Sequence, residues 1–419
     1  MNRKIVITGI GIISPAGNDK DTTWKNICNL NSVTRKISKF SVDQFESTTA
    51  GEITDFDSSN YMSNRLARKL DPFSQYAIAA SKMAIDDAKL DLSQVDKENF
   101  GVFVGNCFGG WEYTDRELRK LHVLGVREVS PFQATAWFPA APQGQISIFF
   151  GFRGHSKTIV SDRASGLMSV GAAAECIARK QCDLIIAGGT EALINSFTYS
   201  SCSTQGIFAK NNGMAPEQSY RPFDKKRNGL VPGEGAAFLV LEELSHAQKR
   251  GAHIYAEIHG YASTNDACFP NVLPDEESGL SKAMNNVISQ SGISSKEVDF
   301  LVADGMATYN GDHQEASAIY KVFGSSLSNL EVTVPKSMIG HSYGAAGAMD
   351  IAFAAMGLKN QTIPPTVNSE EQDEFCSFNV TRRAVQRSNL SYAMVNARGT
   401  GGINASLLLG HPTEVQTNR

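Results

Sequence analysis

Thr158-Ile159-Val160-Ser161-Asp162-Arg163-Ala164-Ser165-Gly166-Leu167-Met168-Ser169-Val170-Gly171 runs from a short β-branched stretch directly into a segment rich in Ala, Gly and Ser. The pattern predicts a strand that turns into a helix at a sharp corner, which presents one side chain at the helix N-terminus. Unpaired backbone N–H groups and the helix dipole favour a thiolate or an oxyanion there. A cysteine in that place would be a good acyl acceptor, because the positive helix end lowers its pKa. The chain has Arg163 instead. A guanidinium stays protonated and offers no lone pair, so acyl-transfer chemistry either lies elsewhere or is not done by this chain alone.

Outward from that corner, apolar strands are predicted at 4–14, with Gly9-Ile10-Gly11 as a tight turn at its end, and at 98–109. Further strands are expected at 183–187, closing on Gly188-Gly189, and at 236–242. Helical patterns lie at 73–91 and 164–180. Unbroken apolar strands alternating with helices indicate an α/β protein whose mostly parallel sheet is covered on both faces. The theme recurs with strands at 254–261, 298–305, 391–397 and 403–409 and helices at 278–292 and 344–358. The expected division is an N-terminal half, 1–252, a C-terminal half, 253–412, and a tail, 413–419, with an internal duplication suggested by the order of elements. A segment of about 108–150, rich in Trp and Phe with mixed charge, breaks the pattern and reads as an insertion or interface element.

The chain has 419 residues, 42% hydrophobic and 20% charged, ordinary values for a globular protein. A net charge of -4 argues against a general nucleic-acid or membrane-surface binder. Seven cysteines without CxxC spacing suit reduced thiols better than a disulfide framework or a zinc site. No stretch has the length to span a bilayer, and Met1-Asn2-Arg3-Lys4 leads directly into a strand, so a cytoplasmic location is expected. Gly9-Ile10-Gly11 lacks the third glycine and downstream acid of a dinucleotide fingerprint.

Arg163-Ala164-Ser165-Gly166, Gly188-Gly189-Thr190-Glu191-Ala192, Arg221-Pro222-Phe223-Asp224, Gly233-Glu234-Gly235, Lys336 with Gly340-His341, and Gly401-Gly402-Ile403-Asn404 stand in an order that closely resembles the β-ketoacyl-ACP synthases. The resemblance covers 3–410 and implies the thiolase fold, a duplicated α-β-α-β-α layering. Active members use a Cys, two His and a Lys. The Cys holds the growing chain as a thioester, and the His pair assists malonyl decarboxylation and stabilises the developing oxyanion or enolate. By this resemblance the Cys position is Arg163, the first His position is Asp304, the Lys is Lys336, the second His is His341, and the gating Phe position is Thr400. Neither Arg163 nor Asp304 can reproduce the lost chemistry, so no catalytic set is intact.

A narrower resemblance follows from Gly109-Gly110-Trp111-Glu112-Tyr113-Thr114-Asp115-Arg116-Glu117-Leu118, Ala136-Trp137-Phe138, Gly144-Gln145-Ile146-Ser147-Ile148, Val332-Thr333-Val334-Pro335-Lys336 and Ala397-Arg398-Gly399-Thr400-Gly401-Gly402. It is to the chain length factor, the ketosynthase-like β subunit of type II polyketide synthases. That family usually has Gln at the nucleophile position, from which Arg163 departs, and His341 departs toward the active enzymes. The resemblance implies a heterodimer with an active ketosynthase, made in part through Trp137 and Phe138. It also implies an acyl carrier protein that delivers chains on phosphopantetheine, with no other cofactor and no metal. Trp111, Thr114 and Leu118, spaced to share one helix face, would with Thr135 line the far end of the tunnel and set product length. Ordinary core packing is the plain alternative for Trp111 and Leu118.

Arg163 is expected to plug the vestigial pocket and pair with Asp304, since a buried charge needs a partner. Lys336 and His341 read as loop-holding groups or as remnants of catalysis. Asp224 and Arg227 are expected to fix their loop, while Lys225, Lys226 and Arg227 offer a positive patch to an acidic carrier. The function expected is a non-condensing subunit that measures polyketide length. The alternatives are a non-covalent malonyl-ACP decarboxylase and a homodimeric acyl-binding protein.

Overall fold

Nine consecutive buried residues, Ile5–Ile13, form β1. A run without polar alternation has to be covered on both faces, and the rest of the fold supplies the cover. The computed structural model describes residues 3–268 and 279–412, so the predicted tail at 413–419 and residue 278 of a predicted helix lie outside the described residues. The other strands of the main sheet are β2 (Phe100–Gly105), β3 (Lys157–Ile159), β4 (Leu184–Glu191), β5 (Gly235–Glu243), β6 (Ala256–Asn265), β7 (Phe300–Val302), β8 (Glu331–Thr333), β9 (Asn379–Val380), β10 (Tyr392–Gly399) and β11 (Ile403–Gly410).

Their order is β9-β8-β7-β10-β11-β6-β1-β5-β4-β2-β3. From the centre outward, β1-β5-β4-β2-β3 and β6-β11-β10-β7-β8 follow the same course, as a duplicated fold would. The expectation of a mostly parallel sheet is corrected. The middle, from β10 to β4, pairs antiparallel throughout, and only the two flanks are parallel. The reason is visible at β10 and β11, joined by Thr400-Gly401-Gly402 alone, whereas parallel neighbours need a long crossover.

Helix α1 (Pro72–Asp87) covers β1 and β5 on one outer face, and α7 (Gly279–Ser291) covers β6 and β11 on the other. Between the half-sheets lie α5 (Ser165–Ala178) and α9 (Ala346–Asn360), packed against each other. Their small residues are required by that approach. A Cβ on Gly166 would lie 2.6 Å from the Gly344 carbonyl, and one on Gly347 would lie 2.8 Å from the Leu167 nitrogen.

Gly9 and Gly11 do not form a turn but sit inside β1, where Cβ atoms would come 2.1 and 1.9 Å from the Ala84 and Ala80 carbonyls of α1. Likewise Gly188-Gly189 does not end its strand, because β4 continues to Glu191. Gly11→Ala is expected to cost about 1–3 kcal/mol or more through overpacking, read as a lowered denaturation midpoint.

The segment after β2 contains α2 (Trp111–Leu124), α3 (Gln133–Ala136) and α4 (Ala141–Phe150) and contributes no strand to the sheet. α6 (Ser196–Ser203) packs beside α2, and α8 (Tyr309–Phe323) follows β7. Among the described residues no helix is long and apolar enough to cross a membrane, and the seven cysteines are all free.

Candidate functional site

The corner between β3 and α5 turns at Asp162, a non-glycine residue in the left-handed region at φ 52°. Ser165 Oγ secures the turn by accepting from the Ser161 N–H at 2.8 Å and donating to the Asp162 carbonyl at 2.6 Å. Arg163 therefore enters the interior at the start of α5 and is 5% exposed. Its Nη1 lies 3.1 Å from Asp162 Oδ2 and donates to Thr400 Oγ1 at 3.3 Å, while Nη2 reaches Met306 Sδ at 3.7 Å. Burial disfavours its charge, yet Asp162 first and Asp304 second outweigh that, and its pKa is raised.

The expected Arg163–Asp304 ion pair is thus corrected: the direct partner of Arg163 is Asp162. Asp304 instead faces His341, with Oδ1 3.5 Å from Nε2, and accepts from the Arg398 N–H at 3.3 Å. Despite burial, which would raise it, the His341 and Lys336 side chains hold the Asp304 pKa well below the usual range. His341 Nδ1 accepts from the Tyr343 N–H at 3.1 Å, which assigns the ring proton to Nε2, the atom facing Asp304. His341 therefore turns its one donor toward an anion, 3.5 Å away. Burial lowers its own pKa and keeps the ring neutral.

Lys336 is 2% exposed and fixed on all sides. Its Nζ pairs with Asp350 Oδ2 at 2.6 Å and donates to the carbonyls of Ala303 and Asp304 at 2.8 and 3.0 Å. Lys336 and His341 thus hold backbone and neighbouring charges in place. Asp350 was missed in the sequence, although a single acid in Ala346-Gly347-Ala348-Met349-Asp350-Ile351-Ala352 signals a buried partner. Asp162 and Tyr343 were missed too; the Tyr343 ring lies 5.9 Å from the Arg163 guanidinium.

Above Arg163 opens a cavity of about 690 Å³ whose walls include Thr308, Gln314, Arg398, Thr400 and the Gly401-Gly402 turn. The segment at 399–402 closes over Arg163, because the Thr400 N–H donates to Asp162 Oδ2 at 2.6 Å. One carboxylate thereby ties the corner to the far end of the chain.

A second group of expected residues lies apart, on and beside α2. Trp111 stacks on Phe197 of α6, with ring centroids 4.6 Å apart and planes at 23°. Thr114 is buried, donating to the Gly110 carbonyl at 2.8 Å and accepting from Gln133 Nε2 at 3.0 Å. Leu118 is 39% exposed, and Thr135 is exposed with its hydroxyl on the Phe132 carbonyl at 3.1 Å. Trp137 and Phe138 are 39% and 51% exposed and touch edge to face. Phe197 is the aromatic the sequence did not reveal, because only folding places it beside Trp111.

Asp224 does fix its loop, accepting from Arg221 Nε at 3.0 Å and from the Lys226 and Glu371 N–H groups at 2.8 Å each. The expected free positive patch is corrected: Lys225, Lys226 and Arg227 pair with Glu374, Glu371 and Asp373 at 3.0, 2.5 and 2.6 Å.

Buried acids within the site and beyond it set a pH dependence. Burial pushes Asp71, Asp312 and Asp350 to about 7 and Glu191 to about 8. Unfolding returns them to ordinary values near ~4. Between these limits the folded chain binds more protons, so stability falls as pH rises. The neutral state of His341 works the other way only below its ordinary value of 6.5. The thermal midpoint is expected to be higher at about pH 6.5 than at about pH 8.5, checked by calorimetry.

Comparison with known proteins adds a lineage to this geometry. Residues 2–247 match the β-ketoacyl synthase N-terminal domain and 255–370 its C-terminal domain. The chain is 37% identical over 407 residues to 3-oxoacyl-[acyl-carrier-protein] synthase 2 of Staphylococcus aureus strain COL, covering 97% of this chain and 98% of that protein. It is 35% identical over 408 residues to the synthase of the same name from Coxiella burnetii, with 97% and 98% covered. Among solved structures, the ishigamide ketosynthase/chain length factor superposes with a TM-score of 0.90 at 30% identity, covering 98% of this chain and 100% of that one. A type II polyketide synthase ketosynthase in complex with its acyl carrier protein, AntDE:AntF, gives 0.90 at 26% identity with the same coverage.

Proposed function

The chain belongs to the β-ketoacyl synthase family, and from that premise we propose that it is a non-condensing subunit that pairs with an active ketosynthase and sets the length of the polyketide the partner builds. The observation that carries this reading is Arg163, charged, buried and ion-paired to Asp162 where the family's nucleophile would stand. Asp304 adds a second obstacle, a carboxylate 3.5 Å from His341 Nε2. With no acyl acceptor, and an anion beside the one donor of His341, the remaining role of the fold is to hold and confine a chain made elsewhere.

Support for a partner comes from the surface. Leu118, Phe132, Trp137, Phe138, Ile148 and Phe149 stay between 37% and 76% exposed on α2, on α4 and between them. An apolar set of that size on one segment marks an interaction face. The partner is an active ketosynthase, and an acyl carrier protein brings the chains on its phosphopantetheine arm, which is the one prosthetic group the reading needs.

The test is to purify the chain alone and together with its ketosynthase. Alone, it is expected to form no β-ketoacyl product and to release no acetyl-carrier from malonyl-carrier; together, the two are expected to run as one complex that makes product. Condensation by the chain alone overturns the reading. Acetyl-carrier formation by the chain alone would establish the decarboxylase alternative, which the Lys336–Asp350 pair and the Asp304 carboxylate beside His341 do not favour.

A further inference from the structure

We infer that Asp71 is a positioning residue for chain length: it caps the helix that bears Trp111 and so sets where that side chain stands. The inference rests on the proposed chain-length role of α2.

α2 begins without a cap of its own, since Gly110 has no side chain to accept from the first turn. Those first N–H groups need an acceptor when they are buried. Asp71 supplies it from another helix. It is completely buried at the N-terminus of α1, where Oδ1 accepts from the Phe73 N–H at 3.1 Å, and its Oδ2 accepts from the Tyr113 N–H of α2 at 2.7 Å. One carboxylate thus caps two helices.

The joint is tight on every side. A Cβ on Gly110 would lie 2.9 Å from the Asp71 Cβ and 2.1 Å from the Ala136 carbonyl, so the two helix starts cannot separate them by a larger side chain. The Gly110 N–H also donates to the Trp137 carbonyl at 2.9 Å. Trp111 is therefore held from two directions, by this clamp beneath its backbone and by the Phe197 ring against its indole. The Phe197 contact is made by the side chain alone, whereas the Asp71 contact is made to the backbone of α2 itself.

Two substitutions separate the caps. In Asp71→Ser the short hydroxyl still caps α1 at Phe73 but cannot extend to Tyr113. In Asp71→Asn one oxygen can accept, while the amide opposes the second N–H. Each would be assembled with the partner ketosynthase and an acyl carrier protein, and products would be sized by mass spectrometry beside total yield and thermal midpoint. Loss of one cap shifts a local equilibrium about five-fold, so the ratio of main-length to other products is expected to fall about five-fold in Asp71→Ser. Asp19→Ala, which removes the cap of the helix Lys20–Cys28, is expected to leave that ratio unchanged. If Asp71→Ser and Asp71→Asn lower yield or midpoint alone, with the ratio intact, the inference is overturned and Asp71 is structural only. If Trp111→Ala also leaves product length unchanged, the chain-length role fails first and takes this inference with it.

Discussion

Arg163→Cys is expected to take up one acyl group from an acyl carrier protein and still form no carbon–carbon bond, whereas Arg163→Cys combined with Asp304→His is expected to raise condensation by ~10²–10⁴-fold over the single variant. The first half follows from place. A thiol at the start of α5, a helix of 14 residues, would meet the positive helix end. The second half follows from charge. Asp304 remains ionised beside His341, and a developing enolate or oxyanion within about 4 Å of it would meet a repulsion of roughly 4 kcal/mol at an effective dielectric near 20. That alone is close to a thousand-fold in rate. Acylation is read by intact mass and condensation by product formation. Condensation in the single variant would show that Asp304 is not a block, and failure of acylation would show that the 399–402 segment keeps the arm out. Asp162→Ala in the same background separates that last case, since it removes the carboxylate to which the Thr400 N–H donates.

The second large effect is at the opposite end of the proposed site. Trp111→Ala is expected to lengthen the main product by at least one two-carbon unit without dissociating the complex. The indole is only half-buried and stacks on Phe197 on one side. Its removal therefore opens space while costing less than the ~3–5 kcal/mol typical of a fully buried aromatic. Thr114, by contrast, is buried and engaged with Gly110 and Gln133, so its hydroxyl ties the first turn of α2 to α3. Product mass with the partner and carrier present measures the outcome. Unchanged length in an assembled, active complex would remove Trp111 from the tunnel.

Each difference between sequence and structure has its own physical cause. Gly9 and Gly11 looked like a turn because glycine is the default residue for one, but here they admit the carbonyls of α1 against a strand. The basic run Lys225-Lys226-Arg227 looked free because its acidic partners, Glu371, Asp373 and Glu374, are remote in the chain. Asp162 was passed over for a subtler reason. Adjacent side chains on a helix or strand point apart, and only the left-handed backbone at Asp162 folds its carboxylate back onto Arg163.

By itself the sequence determined the course of strands and helices, the corner before α5, an arginine rather than a thiol at that corner, and the aromatic segment that interrupts the first half. Those follow from local periodicity and from residue chemistry, which need no neighbours to be read. The tertiary structure decided which strands run antiparallel, which carboxylate holds Arg163, where the one donor of His341 points, and what stands against Trp111. Pairing is set by the distance between groups far apart in the chain, and that distance exists only once the two halves have closed around α5 and α9.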